Sequence, residues 1–305
     1  MRPTLRQLEY VVAIAETGKI GIAASQLNVS QPSLSAQLSE VEADLGVALF
    51  TRGRNGARLT PAGEEVVRRA RVLLREHNDL RIAAKGGGLF QGRLRLGVLP
   101  SIGPYLLPEV VKRLHQEHPT FRLVVREEST RDLDEGLRNG RLDMIISTPE
   151  DHPGTQQTTL FEERFWAAVA TDHELSRKKG SVTLEDMAGL TFLTLGPKHR
   201  ISYIVASLAS RAGGRVSDEY EGTSLDAIRL MAAAGAGVAI LPEIYAATEF
   251  VRRTNVALRY LKETEAKRDI VLIQPMSSIP RMGDDILVEI LRGEAARIMA
   301  TLPRI

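Results

Sequence analysis

The chain has 305 residues, 43% of them hydrophobic and 26% charged, with a formal net charge of +2. That is enough apolar material for two or three globular units, and the overall charge is too small to imply nucleic acid unless it is locally clustered. The absence of cysteine excludes disulfides, thiolate catalysis and cysteine-based zinc sites. With no N-terminal signal pattern and no apolar run of about 18 residues, the expectation is a soluble, cytoplasmic protein with no membrane partner.

The chain opens with a capping box, Thr4 with Gln7, ahead of Leu5, Leu8, Val11, Val12 and Ala15, and Gly18 supplies a stop. Ile20, Ala23, Ala24 and Leu27 give a second short helix, and NVSQ at 28–31 a tight turn. A third helix starts at Ser30 as N-cap, with Pro32 in the first turn, where its missing N–H costs little. Leu34, Leu38, Val41 and Leu45 form its apolar stripe, while Gln31, Pro32, Ser33, Ser35, Ala36 and Ser39 lie off it. Such a helix after a close turn matches the helix-turn-helix, whose second member enters the DNA major groove N-terminus first. TRGRNGARL at 51–59 then places Arg52, Arg54 and Arg58 in a glycine-broken stretch without an acid, suited as a wing to phosphates or the minor groove. Residues 1–88 hold 12 Lys and Arg against 9 Asp and Glu, the rest 28 against 29, so the excess charge sits where DNA would be. The candidate contacts to double-stranded operator DNA are Ser30, Gln31, Pro32, Ser33, Ser35, Arg52, Arg54 and Arg58, in a domain spanning 1–59.

Residues 60–88 read as one long helix: Thr60 caps it, Pro61 fits the first turn, and GGG at 86–88 ends it. Val66, Leu73 and Leu80 repeat every seven residues with Ala70, His77 and Ala84 between them, the d and a positions of a short coiled coil. The expectation is self-association through this helix, which presents two recognition helices to a two-fold site.

Beyond residue 88 the pattern becomes α/β. GRLRLGVL at 92–99, the capped helix PSIGPYLLPEVVKRLHQEHP, FRLVVREES at 121–129, a helix through LDEGLRNGRLD and MIIS at 144–147 predict parallel strands with crossover helices. A second set runs through FWAAVA at 165–170, FLTL at 192–195, the helix-like LDAIRLMAAAGAG and VAIL at 238–241, and DIVLIQ at 269–274 and a helix near 284–300 close the chain. Two α/β lobes follow. Enzymatic motifs fail on context: GAG at 235–237 follows a helix and precedes a strand, the reverse of a dinucleotide loop. His115 and His118 have no third ligand nearby, and no nucleophile elbow occurs. The chain reads as neither an enzyme nor a carrier of cofactor or metal.

AASQLNVSQPSLSAQLSEVEADLGVALFTRGRNGARLTPAG resembles the N-terminal domain of LysR-type transcriptional regulators, whose pattern is AA..L..SQP..S..I..LE..LG..LF.R....LT.AG. The resemblance implies a dimer or tetramer and a two-lobed effector domain, 89–305, like a periplasmic binding protein. It places chain crossings near 164–167 and 267–270, lobe I at about 89–165 and 269–305, lobe II at about 166–268, and a ligand cleft between them. Ile20 stands where many relatives have an aromatic, Ile22 where a polar or basic residue is usual, and Ala36 where many have a recognition-helix arginine. Base reading then falls to Gln31, Pro32, Ser33 and Ser35, with wing contacts and DNA shape.

GVLPSIGPYLLPEVVKRLHQEHP and SLDAIRLMAAAGAGVAILPE are similar to stretches of the peroxide-sensing OxyR regulators. In those a cysteine follows the histidine of the loop matching GPKHRISY and pairs with a second cysteine further on. Here Arg200 follows His199, the later position falls near Ala209, and thiol-based peroxide chemistry is excluded. The family arrangement gathers Ser101, Ser129, Thr130, Ser147, Thr148, His199, Arg200, Ser202 and Thr223 about the cleft. PSIG, with Ser101 and Ile102, is expected to offer unpaired N–H groups and a helix dipole to an anion. The effector is read as a small anion with Arg200 as charge partner; the alternative is a constitutive or apolar-ligand regulator.

Overall fold

The computed structural model describes residues 3–53, 56–84, 93–220, 222, 224–252, 255–276, 278, 281 and 283–303. The chain divides into two compact units, one of residues 1–92 with 136–142, the other of 93–135 with 143–305.

In the first unit, α1 (Leu5–Thr17) begins with the reciprocal capping box of Thr4 and Gln7 and stops at Gly18 in the left-handed conformation. Then come α2 (Ile20–Gln26), a turn in which Asn28 takes φ 54°, and α3 (Gln31–Leu45). The Ser30 hydroxyl accepts the Ser33 N–H, as an N-cap should. Val11, Ile14, Ala23, Ala24, Leu34, Leu38 and Val41 form the core with Leu49, Phe50, Ala57 and Val67. The predicted stripe runs one residue too far, because Leu45 is 40% exposed at the last position before the Gly46 cap.

A two-stranded antiparallel wing follows, β1 (Phe50–Gly53) with β2 (Gly56–Leu59). It is tied to the helices by backbone groups: Glu42 of α3 accepts from Leu49 N (2.7 Å) and Phe50 N (3.2 Å), and Ala57 N donates to Gly18 O (2.8 Å). Gly56 has φ 114°, and a Cβ there would lie 2.3 Å from Gly18 O, so the wing seats only with glycine. The helix α4 (Pro61–Ala83) is capped by the Thr60 hydroxyl, which accepts Gly63 N and donates to Ala48 O. It ends one residue short of the heptad position Ala84. Ala70 is buried, whereas Leu73 and Leu80 are 53% and 67% exposed.

The second unit begins with β3 (Arg93–Val98), α5 (Gly103–Glu117), β4 (Arg122–Glu127), α6 (Thr130–Arg138) and β5 (Met144–Ser147). β3 lies parallel to both β4 and β5. Next is β6 (Thr155–Ala170), a single 16-residue strand of which the predicted FWAAVA is the second part. β7 (Ser181–Val182), β8 (Thr191–Leu193), α7 (Arg200–Arg211), β9 (Arg215–Val216), α8 (Leu225–Ala233), β10 (Val238–Pro242), α9 (Glu243–Arg252), β11 (Val256–Leu261), β12 (Lys267–Pro275) and α10 (Asp284–Met299) complete it. GPKHRISY is therefore no plain loop, since α7 starts within it at Arg200.

Strand order shows two lobes sharing one strand. β4-β3-β5-β12 runs to β6, and β6 continues to β10-β8-β9, with β11 also on β6 and β7 beside it. Residues 155–164 of β6 pair antiparallel with β12, while 165–170 pair with β10 and β11. At this changeover the Arg268 guanidinium, 3% exposed, meets the Glu163 carboxylate, 0% exposed, at 2.6 Å. Just past it, Trp166 is buried edge-on to Tyr260, with ring centres 5.7 Å apart.

Candidate functional site

Two surfaces carry the expected chemistry, one in each unit. In the first, Gln31, Pro32 and Ser33 are exposed at the N-terminus of α3 and Ser35 is half-exposed beside the exposed Ala36 and Ser39. Leu34, Leu38 and Val41 anchor the opposite face at full burial. The outward groups are an amide, a ring and hydroxyls, short groups whose positions are fixed by the backbone. Ser30 is spent as the cap, and the Gln31 amide rests against Gly21, where a Cβ would lie 3.1 Å from its Oε1. Arg58 is exposed on β2; the Arg52 side chain and Arg54 lie outside the described residues.

In the second unit, a recess of about 410 Å³ is lined by Thr130, Arg131, Asp134, Asp151, Pro197, Lys198, Arg200 and Tyr203. It lies where the N-terminal turns of α6 and α7 converge. The α6 N-terminus is capped by Ser129, whose hydroxyl lies 3.4 Å from Asp132 N and donates to Asp132 Oδ2 at 2.6 Å. The α7 N-terminus has no side-chain cap, so its first N–H groups retain their attraction for an acceptor. Thr130 is 8% exposed, and its Oγ1 has no hydrogen-bond partner among the described residues. An orphaned buried hydroxyl lining a recess is a place for a ligand or water to bond.

The other predicted effector residues are distributed differently. Ser101 and Ile102 are buried, and neither lines the recess. The anion site expected at PSIG is closed: Ile102 N and Gly103 N both donate to Leu99 O at 2.9 Å, and Arg268 donates to the Ser101 hydroxyl at 3.0 Å. The helix there, α5, also lacks the predicted cap, since Ile102 offers no side-chain acceptor. Ser147 Oγ lies 2.9 Å from His152 Nε2, and Thr148 donates to Asp151 Oδ2 at 2.6 Å. The Ser202 hydroxyl turns back to Leu195 O and Gly196 O at 2.6 and 2.7 Å. These hydroxyls serve the fold because β5 and α7 begin or end with buried polar groups that the nearby side chains must satisfy. His199 is 5% exposed, and its burial pushes the imidazole pKa down against the opposing pull of Asp132, so the ring is held neutral. Thr223 lies outside the described residues.

Of the predicted set, Thr130 and Arg200 are brought together at the recess. Arg200 is already met by Asp151, 3.5 Å from its Nη1. Sequence reading missed Arg131, Asp134, Asp151, Tyr203 and the buried His152 behind them. The spacing of Thr130, Arg131 and Asp134 on one helical turn is the signal that could have found part of this group. Among the described residues no cluster of His, Cys, Asp or Glu could hold a metal, and no helix is long and apolar enough to cross a membrane.

A helix-turn-helix with a basic wing, joined to a two-lobed α/β unit with a recess for a small molecule, defines the class of DNA-binding regulators that carry their own sensor. Residues 5–64 match the family of bacterial regulatory helix-turn-helix proteins of the lysR type, and residues 87–292 match the LysR substrate binding domain. The chain belongs to the LysR family of transcriptional regulators. It is 33% identical over 291 residues to the dual regulator OxyR of Escherichia coli K12, covering 95% of each chain. It is 30% identical over 302 residues to the regulator EstR of Acinetobacter baylyi, covering 98% of each. Among solved structures, a full-length OxyR variant from Pseudomonas aeruginosa superposes with a TM-score of 0.78 at 29% identity, covering 97% of this chain and 95% of that one. Full-length CbnR in complex with its target DNA superposes at 0.53 and 29% identity, covering 96% and 99%. The chain is thus a DNA-binding transcriptional regulator with an effector-binding domain, not an enzyme.

Proposed function

We propose that this regulator is controlled by a small anionic molecule held at the recess between α6 and α7, without thiol chemistry. The observation that carries the reading is the pairing of an uncapped α7 N-terminus with the orphaned, buried Thr130 hydroxyl, flanked by Arg131, Lys198 and Arg200. An anion there accepts from N–H groups, a hydroxyl and a guanidinium together. The predicted Ser101, Ile102, Ser129, Ser147, Thr148, His199 and Ser202 then shape and support the site. DNA is read by Gln31, Pro32, Ser33 and Ser35 with phosphate contacts from the wing, where Arg58 is exposed and Arg52 and Arg54 are adjacent in sequence. Two copies pair through the Leu73 and Leu80 seam of α4.

The test is thermal unfolding of the full-length protein against a panel of small carboxylates and phosphates. A bound anion at a hundredfold excess over its dissociation constant adds about 2.7 kcal/mol of stability. A rise in melting temperature with one anion, lost in Arg200→Gln, is the expected result. Absence of any anion-dependent shift, or a shift unchanged in Arg200→Gln, removes the reading.

A further inference from the structure

An anion site does not by itself account for the acidic wall of the recess. Beside three cationic side chains stand Asp134 and Asp151. Asp151 has a local role, fixed by Thr148 and facing Arg200. Asp134 is held from behind by an arrangement with no role in charge balance at Arg200. His152 is 0% exposed, with Nδ1 3.2 Å from Asp134 Oδ1 and Nε2 2.9 Å from Ser147 Oγ. Ser147 is also 0% exposed, so this Ser, His and Asp trio cannot serve as a hydrolytic triad: no substrate reaches the hydroxyl. A carboxylate only accepts, so Nδ1 carries the proton and Ser147 donates to Nε2. Every polar atom of a buried imidazole is thereby used to aim one carboxylate, 24% exposed, along the wall of the recess. A histidine that orients an exposed partner through its second nitrogen is the geometry by which binding groups are held in place.

Resting on the effector-site reading of this recess, we infer that its ligand is a zwitterion, a small α-amino acid. Its carboxylate meets the α7 N-terminus, Thr130 and Arg200, and its ammonium group meets Asp134. A carboxylate offers about four acceptor positions, of which the His152 bond uses one. His152 and Ser147 are positioning residues: they touch no ligand and fix the direction of Asp134. The recess, about 410 Å³, is at the small end of ligand sites and fits a molecule of amino-acid size.

The experiment uses the full-length protein and calorimetric titration with each of the common free L-amino acids. Each is paired with its 2-hydroxy acid, which replaces the ammonium at nearly constant shape, and with its amide, which removes the carboxylate charge. At least one free amino acid is expected to bind, with both counterparts weakened tenfold or more. In Asp134→Asn the preference for the amino acid over its hydroxy acid falls to near one, while the residual carboxylate-dependent binding stays. In His152→Gln that preference drops severalfold with Asp134 still present, which a purely structural role would not produce. Hydroxy acid binding as tightly as amino acid in the unsubstituted protein overturns the inference and leaves the anion reading standing. So does binding of simple carboxylates with no free amino acid bound. No binding by any of these probes overturns both.

Discussion

At the scale of single residues, the strongest determinant is the Arg268 and Glu163 pair at the strand changeover. Glu163 also accepts from Ile244 N at 3.2 Å, and Arg268 lies over the Phe165 ring at 5.8 Å. Removing one partner of a buried ion pair strands the other charge away from water. Glu163→Gln is therefore expected to cost about 3–5 kcal/mol of stability in urea unfolding; a loss under about 1 kcal/mol means the guanidinium finds another partner. His199 gives a second prediction, in pH. Its imidazole is held below the usual histidine range by burial, so the folded state favours the neutral ring. The unfolded chain takes up a proton first, near pH 6.5, and stability falls as pH drops from there toward the lowered folded-state pKa. His199→Gln flattens this acid limb; an unchanged limb means another group causes it. None of this was legible beforehand: which hydroxyls face inward depends on pairings as distant as Arg268 with Ser101, 167 residues apart.

At the scale of elements, the N-terminal reading succeeded because its signals are local. The capping box, the Ser30 cap and the apolar period of α3 each lie within a few residues, and glycine marks each stop. The missed elements have weak local signals. α7 starts at Arg200 without a side-chain cap, and the first half of β6, TQQTTLFEER, is polar because much of it faces outward. The pair of surfaces on α3 and α4 yields a prediction that separates them. Gln31→Ala is expected to weaken operator binding at least tenfold while leaving the oligomeric state unchanged, read by fluorescence anisotropy and sedimentation. Leu73→Asp with Leu80→Asp is expected to dissociate the oligomer and weaken operator binding through lost bivalency. An oligomer that survives both aspartates places the self-contact elsewhere than the α4 seam.

At the scale of the whole molecule, the similarity to OxyR proteins and the lack of cysteine point in opposite directions, and chemistry decides between them. Peroxide signalling through a disulfide needs two thiols, and the chain has none. Operator affinity is expected to be unchanged by millimolar-range peroxide that oxidises thiols fully; a reversible change would demand a different oxidisable group. The two-lobed form was legible from the repeated α/β pattern. The recess was only half legible, since its cations come from the loop before α7 and its acids from α6 and the turn after β5.

Trp166 is the chain's one tryptophan, and it sits in β6 just past the changeover, edge-on to Tyr260. Excitation at the red edge of the indole band thus illuminates the sensor unit and leaves the DNA-binding unit dark. Emission colour and lifetime report the environment at the junction of the two sheets, a few residues from Glu163. The same protein, without any label, gives one optical channel for the sensor, while helical circular dichroism reports both units together. Denaturant transitions that coincide in the two channels mean the units unfold as one; transitions that separate give each unit its own midpoint.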